Sequence, residues 1–246
     1  MIQYFFKPIF YIPLYNALAF IIQHVHAADL GVATIILTII VKIVIFPLNL
    51  KAIRTQAKLR ELEPELAEIK KKFPKDQTEQ AKQTLDLYKK NKINPFGGIL
   101  PILIQLPVII SLYAIFRSSG LPLINHSLLY PFIHAPATAN VLFLNFVNVA
   151  QKSIILAIIV AISQIIQVNF SIPAIKKLEG EPTFKDDLAR SMNLQMRYVL
   201  PLLTAYISYI TSGAVALYFI TNNLFAIGQE MYVRRQLKRH ELPVKI

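Results

Sequence analysis

Apolar and polar residues alternate along this chain in long blocks rather than at helical spacing. Five apolar blocks are long enough, or nearly so, to cross a bilayer as helices. They cover about residues 30–50, 99–116, 154–172, 198–211 and 214–232. The second contains Pro101, Gln105 and Pro107, and the third carries Ser163, Gln164 and Gln167 in its later half. Ser212–Gly213 turns the short fourth block into the fifth, which holds Asn222 and Asn223. Ahead of them, residues 4–25 are apolar but interrupted by Lys7, Pro8, Pro13, Asn16 and Gln23. Two prolines argue against a straight span. An aromatic-rich helix lying in the membrane interface over residues 1–27 fits better, with a spanning helix as the alternative.

Residues 51–93 change character abruptly, holding twelve Lys/Arg and seven Asp/Glu. Leu59, Leu62, Leu66, Ile69 and Phe73 recur at spacings of 3 and 4, a narrow coiled-coil-like stripe. Phe73–Pro74–Lys75–Asp76 breaks it, because proline disfavours helix at the preceding residue. Ala81, Leu85 and Tyr88 then resume the stripe. The pattern predicts a soluble hairpin of two antiparallel helical arms. Asn94–Pro95–Phe96–Gly97–Gly98 punctuates the return to the membrane.

Composition agrees with a polytopic membrane protein. The 246 residues are 54% hydrophobic and only 16% charged, against about 25% charge in a soluble domain. The net charge of +12 is not spread as a nucleic-acid-binding face would be. Basic residues number twelve in 51–93, none in 118–150, five in 173–197 and five in the tail, 233–246. By the positive-inside rule the N-terminus is outside, while the hairpin and the C-terminus are cytoplasmic. Five spans satisfy that parity. The charge-free 118–150 segment, rich in aromatics and proline, reads as an external and partly membrane-hugging connection. There is no cysteine, hence no disulfide or thiolate site. The first residues lack the pattern of a cleavable signal peptide.

One residue does not belong to this simple picture. Lys42 lies inside the first span, nine residues before Lys51. At helical rise that is roughly 13 Å from the water boundary, beyond the comfortable snorkelling reach of a lysine. A cation at that depth costs on the order of 3 kcal/mol. Either the helix shifts so that Lys42 reaches the headgroups, or Lys42 faces a water-containing cavity inside the protein. Every acidic residue lies outside the spans as drawn, apart from Glu230 at the last cytoplasmic edge. Thr38 sits one turn from Lys42 on the same face. Gln105, Gln164, Gln167, Asn222 and Asn223 lie in other spans at plausible depths. Singly these are ordinary interhelical hydrogen-bonding residues. Together with Lys42 they suggest a hydrated, positively charged groove.

Catalytic chemistry finds no support. All five histidines fall outside the spans, and neither Gly-x-Ser-x-Gly nor His-Glu-x-x-His occurs. No Gly-x-x-x-x-Gly-Lys-Ser/Thr phosphate loop appears, so nucleotide hydrolysis, a cofactor and enzymatic activity are not expected.

Three ordered motifs resemble the YidC/Oxa/Alb membrane protein insertases, the bacterial YidC branch in particular, over about residues 28–236. Val41–Lys42–Ile43–Val44–Ile45–Phe46–Pro47–Leu48 looks like the first core helix, with a basic residue before an aromatic–Pro–Leu. Asn94–Pro95–Phe96–Gly97–Gly98 with Pro101, Gln105, Pro107 and Leu112–Tyr113 is similar to the Asn-Pro-x-Gly-Gly signature and second helix. Ser212 to Asn223 resembles the last hairpin and helix. The resemblance implies an all-α membrane fold for residues 28–246. Five transmembrane helices would form a core with a hydrophilic groove open to the cytoplasm and lipid, closed outside. A cytoplasmic helical hairpin and the N-terminal interfacial helix would complete it. It implies that the groove cation receives hydrophilic segments of nascent membrane proteins, alone or beside the Sec translocon. The bilayer, the signal recognition particle receptor and the ribosome are further expected partners of a monomeric protein in the bacterial cytoplasmic membrane. Bacterial members commonly carry arginine where this chain has Lys42, so a positive groove is implied but not a bidentate clamp. The chain resembles a minimal form, without the extra N-terminal span and periplasmic domain of many Gram-negative members. Two readings compete with this one: a small anion or solute transporter using Lys42, and a scaffold acting through the hairpin.

Overall fold

The computed structural model describes residues 6–74, 76–94, 100–118, 121–171, 191 and 193–241, without the side chains of 60, 70, 100–102, 118 and 237–241. The Pro95–Gly98 signature, most of the 173–197 loop and the last five residues lie outside the described residues. The fold is almost wholly helical. A π-helical turn, Lys7–Tyr11, leads into α1 (Ile12–His24). Then follow α2 (Leu30–Glu61), α3 (Glu63–Lys72), α4 (Gln77–Lys90) and α5 (Leu100–Ser118). After the charge-free connection come α6 (Ile154–Ser171), α7 (Leu200–Thr211) and α8 (Gly213–Glu241). The first span and the first arm of the charged segment are thus one helix, α2, with Pro47 inside it. Likewise α8 continues past 232 into the basic tail as far as Glu241. Among the described residues α2 and α6 are long and apolar enough to cross a membrane, and Leu103–Arg117 is a shorter apolar helix.

The chain forms two compact units, Met1–Ile43 with Pro107–Tyr232, and Val44–Leu106 with Val233–Ile246. The second unit contains the hairpin. Its small core is Leu62, Leu87 and Ile93, with Leu59, Leu66, Ile69 and Tyr88 packed against it. Asp76 caps α4, its carboxylate accepting from the Thr78 and Glu79 amides at 3.1 and 2.9 Å. The first arm buries the stripe that its leucine spacing predicts. The second arm does so only at Tyr88, since Leu87 is buried whereas Leu85 is 52% exposed and Ala81 is exposed. Residues two apart lie about 200° around a helix, so burying Leu87 turns Leu85 outward. The rest of that inward face is polar. Gln80 donates to the Phe73 carbonyl at 2.5 Å and Gln83 to Glu79 at 2.8 Å, which keeps the face from showing as a hydrophobic repeat. Leu87→Ala should therefore loosen the hairpin by about 2 kcal/mol, read as lost amide-exchange protection in α3 and α4. Leu85→Ala should stay within about 0.5 kcal/mol.

The first unit has the larger core, built from Tyr15, Leu18, Ile22, Leu37, Ile115 and Val160 among others. The charge-free connection between α5 and α6 is more structured than its composition suggests. It contains a two-stranded antiparallel hairpin, β1 (Leu142–Phe143) and β2 (Val147–Asn148), in the register Leu142↔Asn148 and Phe143↔Val147. Leu144 and Asn145 have φ of 50° and 63°, the left-handed pair of a tight hairpin turn. Polar residues of α1 hold this connection. Buried Asn16 donates to the Leu128 carbonyl at 2.9 Å and accepts from the Tyr130 amide at 2.6 Å. The Tyr15 hydroxyl accepts from the Asn125 amide, and Gln23 from that of His134. α1 thus buries Tyr15, Leu18 and Ile22 within the protein, and its polar interruptions are anchors.

Asp29 joins the connection to the lysine helix. One carboxylate oxygen caps α2, accepting from the Gly31 and Val32 amides at 2.8 and 3.0 Å. The other accepts from the Leu144 amide at the hairpin tip, at 2.8 Å. Leu30 N–H donates to the Asn140 carbonyl beside them. The hairpin approaches so closely that a Cβ at Gly31 would stand 2.5 Å from the Phe143 ring. Only glycine fits there.

Candidate functional site

Three helices of the first unit share a pattern that inverts ordinary amphipathicity. On α2, Thr34, Thr38 and Lys42 are buried in successive turns, while Ile36, Ile39, Ile40 and Ile43 are exposed. On α6, Ser163 and Gln164 are buried and Ile155, Ile158, Ile162 and Ile166 exposed. On α7, which packs against α6, Thr204 and Ser208 are buried and Leu202, Leu203, Tyr206 and Ile210 exposed. A helix in water turns its aliphatic face inward and its polar face out. Contiguous aliphatic surface on this scale is rare on soluble monomers. Lipid reverses the preference, since isoleucine then loses nothing by facing outward and polar groups gain by facing one another.

Lys42 lies on the buried side of α2, only 6% exposed, rather than on the isoleucine face. The threonines below it satisfy their own donors. Thr34 donates to the Leu30 carbonyl and Thr38 to the Thr34 carbonyl, both at 2.7 Å. A hydroxyl whose proton is used this way still offers lone pairs. The face leading to the ammonium group is therefore one of acceptors. Ser208 and Thr204 repeat the arrangement on α7, donating to carbonyls three or four residues back.

A second polar group joins α8 to α6. Asn222 donates to Asn223 at 3.4 Å, Asn223 donates to the Ser163 hydroxyl at 3.0 Å, and Ser163 donates to the Val160 carbonyl at 2.9 Å. Along α6, Gln164 donates to Gln167 at 3.2 Å and Gln167 to Ser171 at 3.0 Å. Buried Ser111 Oγ, Ser212 Oγ and Asn222 Oδ1 have no hydrogen-bond partner among the described residues. Orphaned buried oxygens are costly unless water or a ligand reaches them.

Of the seven residues singled out in the sequence, Asn222, Asn223, Gln164 and Gln167 belong to these α6 and α8 chains, and Thr38 shares the face of Lys42. Gln105 is half-buried and belongs to the other unit. Thr34, Ser163, Thr204 and Ser208 were not singled out as site residues. Their signal is positional: Thr34 stands two turns from Lys42, and Thr204 and Ser208 are one turn apart. Among the described residues no three His, Asp or Glu side chains gather as a metal site requires.

A family model described as "60Kd inner membrane protein" matches residues 20–240. "Membrane protein insertase YidC" of Clostridium tetani is 30% identical over 210 residues, 85% of this chain and 84% of that protein. The protein of the same description from Cellvibrio japonicus is 32% identical over 228 residues, 92% of this chain. One from Methylobacillus flagellatus is 30% identical over 227 residues, also 92% of this chain. The chain spans 36% of the length of each of these last two relatives. The matched region begins inside α1, ends in the last turn of α8 and takes in the buried polar residues of α2, α6, α7 and α8; this chain belongs to the 60Kd inner membrane protein family.

Proposed function

We propose that this chain is a membrane protein insertase of the bacterial inner membrane, lowering the barrier for polar segments of nascent membrane proteins to cross. One observation carries the reading: a buried cation, Lys42, on the polar inner face of a helix whose outer face is isoleucine. An acidic residue alone at the bilayer midplane costs a few kcal/mol. A hydrated cavity with a fixed positive charge and side-chain amides offsets much of that cost, because partial burial strengthens the attraction between unlike charges. The orphaned oxygens of Ser111, Ser212 and Asn222 support a water-filled interior.

In this reading α2, α5, α6, α7 and α8 are the five spans, and the groove holds Lys42, Thr38, Gln164, Gln167, Asn222 and Asn223. Residues 51–93 are a cytoplasmic hairpin, 233–246 a basic tail and 1–27 an interfacial segment. Basic residues concentrated in 51–93, 173–197 and the tail support a cytoplasmic C-terminus and an external N-terminus. The π-helical turn Gln195–Val199 runs straight into α7, giving seventeen consecutive helical residues, the lower end of what a spanning helix needs. The apolar cavity lined by Leu112, Phe116, Ile207 and Tyr218 offers the substrate's apolar span a surface on its way to lipid. The hairpin and tail are the natural contacts for the Sec translocon, the signal recognition particle receptor and the ribosome, and the chain acts as a monomer without cofactor or nucleotide hydrolysis.

Photocrosslinkers at positions 38, 42, 105 and 223 test this reading. All four should capture a stalled nascent membrane protein. Solute flux in liposomes without nascent-chain crosslinks would instead identify a transporter. Crosslinks lost on deleting 55–90 but kept in Lys42→Ala would identify a scaffold.

A further inference from the structure

The connection from residue 118 to residue 151 contains no Asp, Glu, Lys or Arg. An external loop made only for solubility would carry some. Its β-hairpin divides its apolar residues between two faces in the alternation of a strand. Phe143 and Val147 face the core and pack against it. Leu142, Leu144 and Phe146 face away, and Phe146 is 89% exposed. Phe132 is also exposed, at 67%, in the same connection. These residues do not sit on a slack loop. Asp29 accepts the Leu144 amide at 2.8 Å, Asn140 donates to the Ala28 carbonyl, and Phe143 closes over Gly31. The same connection bonds to the start of α8 through Val149 and Gln151, whose carbonyls accept from Ala214 and Gly213. A few residues on, exposed Ile154 and Ile155 begin the aliphatic outer face of α6. The outward hairpin residues share the aliphatic and aromatic chemistry of that surface, with the exposed polar residues Gln151 and Lys152 between the two.

We infer that the hairpin tip, Leu144 and Phe146 with Leu142, is a lipid anchor that enters the headgroup and upper acyl region of the outer leaflet. The occupant of this face is bilayer rather than a partner protein. A protein interface surrounds its apolar centre with a polar rim, whereas no charged side chain occurs anywhere from residue 118 to residue 151. Phenylalanine and leucine on a rigid tip bury apolar area without ordering a flexible segment, the economy used by interfacial anchors. Because the tip is bound to Asp29, the anchor sets the height of the α2 start in the bilayer. Lys42 follows thirteen residues later, about 20 Å along the helix. The anchor thereby fixes the depth at which the cation meets a substrate.

This inference rests on the membrane-embedded reading, and the test separates the two. The chain contains no tryptophan, so one introduced tryptophan reports alone. Phe146→Trp and Ile158→Trp in the full chain are reconstituted into phosphatidylcholine–phosphatidylglycerol vesicles, with lipids brominated high or low on the acyl chain. Ile158→Trp should be quenched by deep bromines; failure there overturns the membrane reading itself. Phe146→Trp should emit in the blue and lose at least half its fluorescence to shallow bromines, with little loss to aqueous iodide. Red emission quenched by iodide overturns the anchor, leaving the tip in water. Emission indifferent to both quenchers overturns it in favour of a protein cover.

Discussion

Replacing Lys42 with glutamate should abolish insertion of a substrate whose translocated tail carries one acidic residue. Two unit charges about 4 Å apart interact by about 4 kcal/mol at an effective dielectric of 20. Reversing the sign changes an attraction of that order into a repulsion, against a crossing cost of only a few kcal/mol. A loss of at least a hundredfold in inserted product is expected, measured by protease protection in proteoliposomes. A substrate with an uncharged tail should lose far less, which separates electrostatics from misfolding. Lys42→Arg keeps the charge and should retain most activity, although its planar fork needs more room on a face where Lys42 is only 6% exposed. Equal insertion of the acidic tail by wild type and Lys42→Glu would remove the electrostatic step from the mechanism.

The second large effect is expected at a residue far from Lys42. Asp29→Ala withdraws the acceptor of three backbone amides, those of Gly31, Val32 and Leu144. Loss of a helix cap costs about 1 kcal/mol, and a buried amide left without a partner costs about 1–3 kcal/mol more. A total near 3 kcal/mol corresponds to roughly 6–12 °C of melting temperature for a chain of this size. Thermal unfolding in detergent followed by circular dichroism measures it. Asp29→Asn retains one carbonyl oxygen and should lose less than half as much. A shift below about 1 °C for Asp29→Ala would mean that the hairpin and α2 are held by other contacts.

What could be read in the sequence was whatever lipid or charge enforces over a whole segment. α6 occupies Ile154–Ser171 of the expected 154–172, the last position lying outside the described residues, because a long and mainly apolar run specifies a helix over its whole length. The end of α8 was less visible: no breaker interrupts Tyr232 to Glu241, and Pro243 comes only afterwards. In the second arm of the charged hairpin the stripe holds at Tyr88 but not at Ala81 or Leu85, since amides rather than leucines cover most of its inward face. The β-hairpin was missed entirely. Two-residue strands are too short to show alternation, and Leu144–Asn145 is an inconspicuous left-handed turn. Within the candidate site, Lys42 announced itself by its cost, whereas Ser163 and Thr34 read as routine small polar residues. Asn16, Gln23 and Asp29 bond to backbone amides more than a hundred residues away, which no side-chain pattern can advertise.

The way each polar residue finds its hydrogen bond also bears on how the protein itself is made. Thr34 and Thr38 are satisfied by carbonyls one turn back in α2. Emerging first, that helix can enter lipid as a solitary segment with only Lys42 to accommodate. Asn223 instead bonds across sixty residues to Ser163. The last helix is thus completed by one synthesised earlier, and its entry is favoured only after α6 is in place. Biogenesis of this chain should therefore proceed from its N-terminal helices, with an internal deletion of α6 leaving α8 the poorer partner for the membrane.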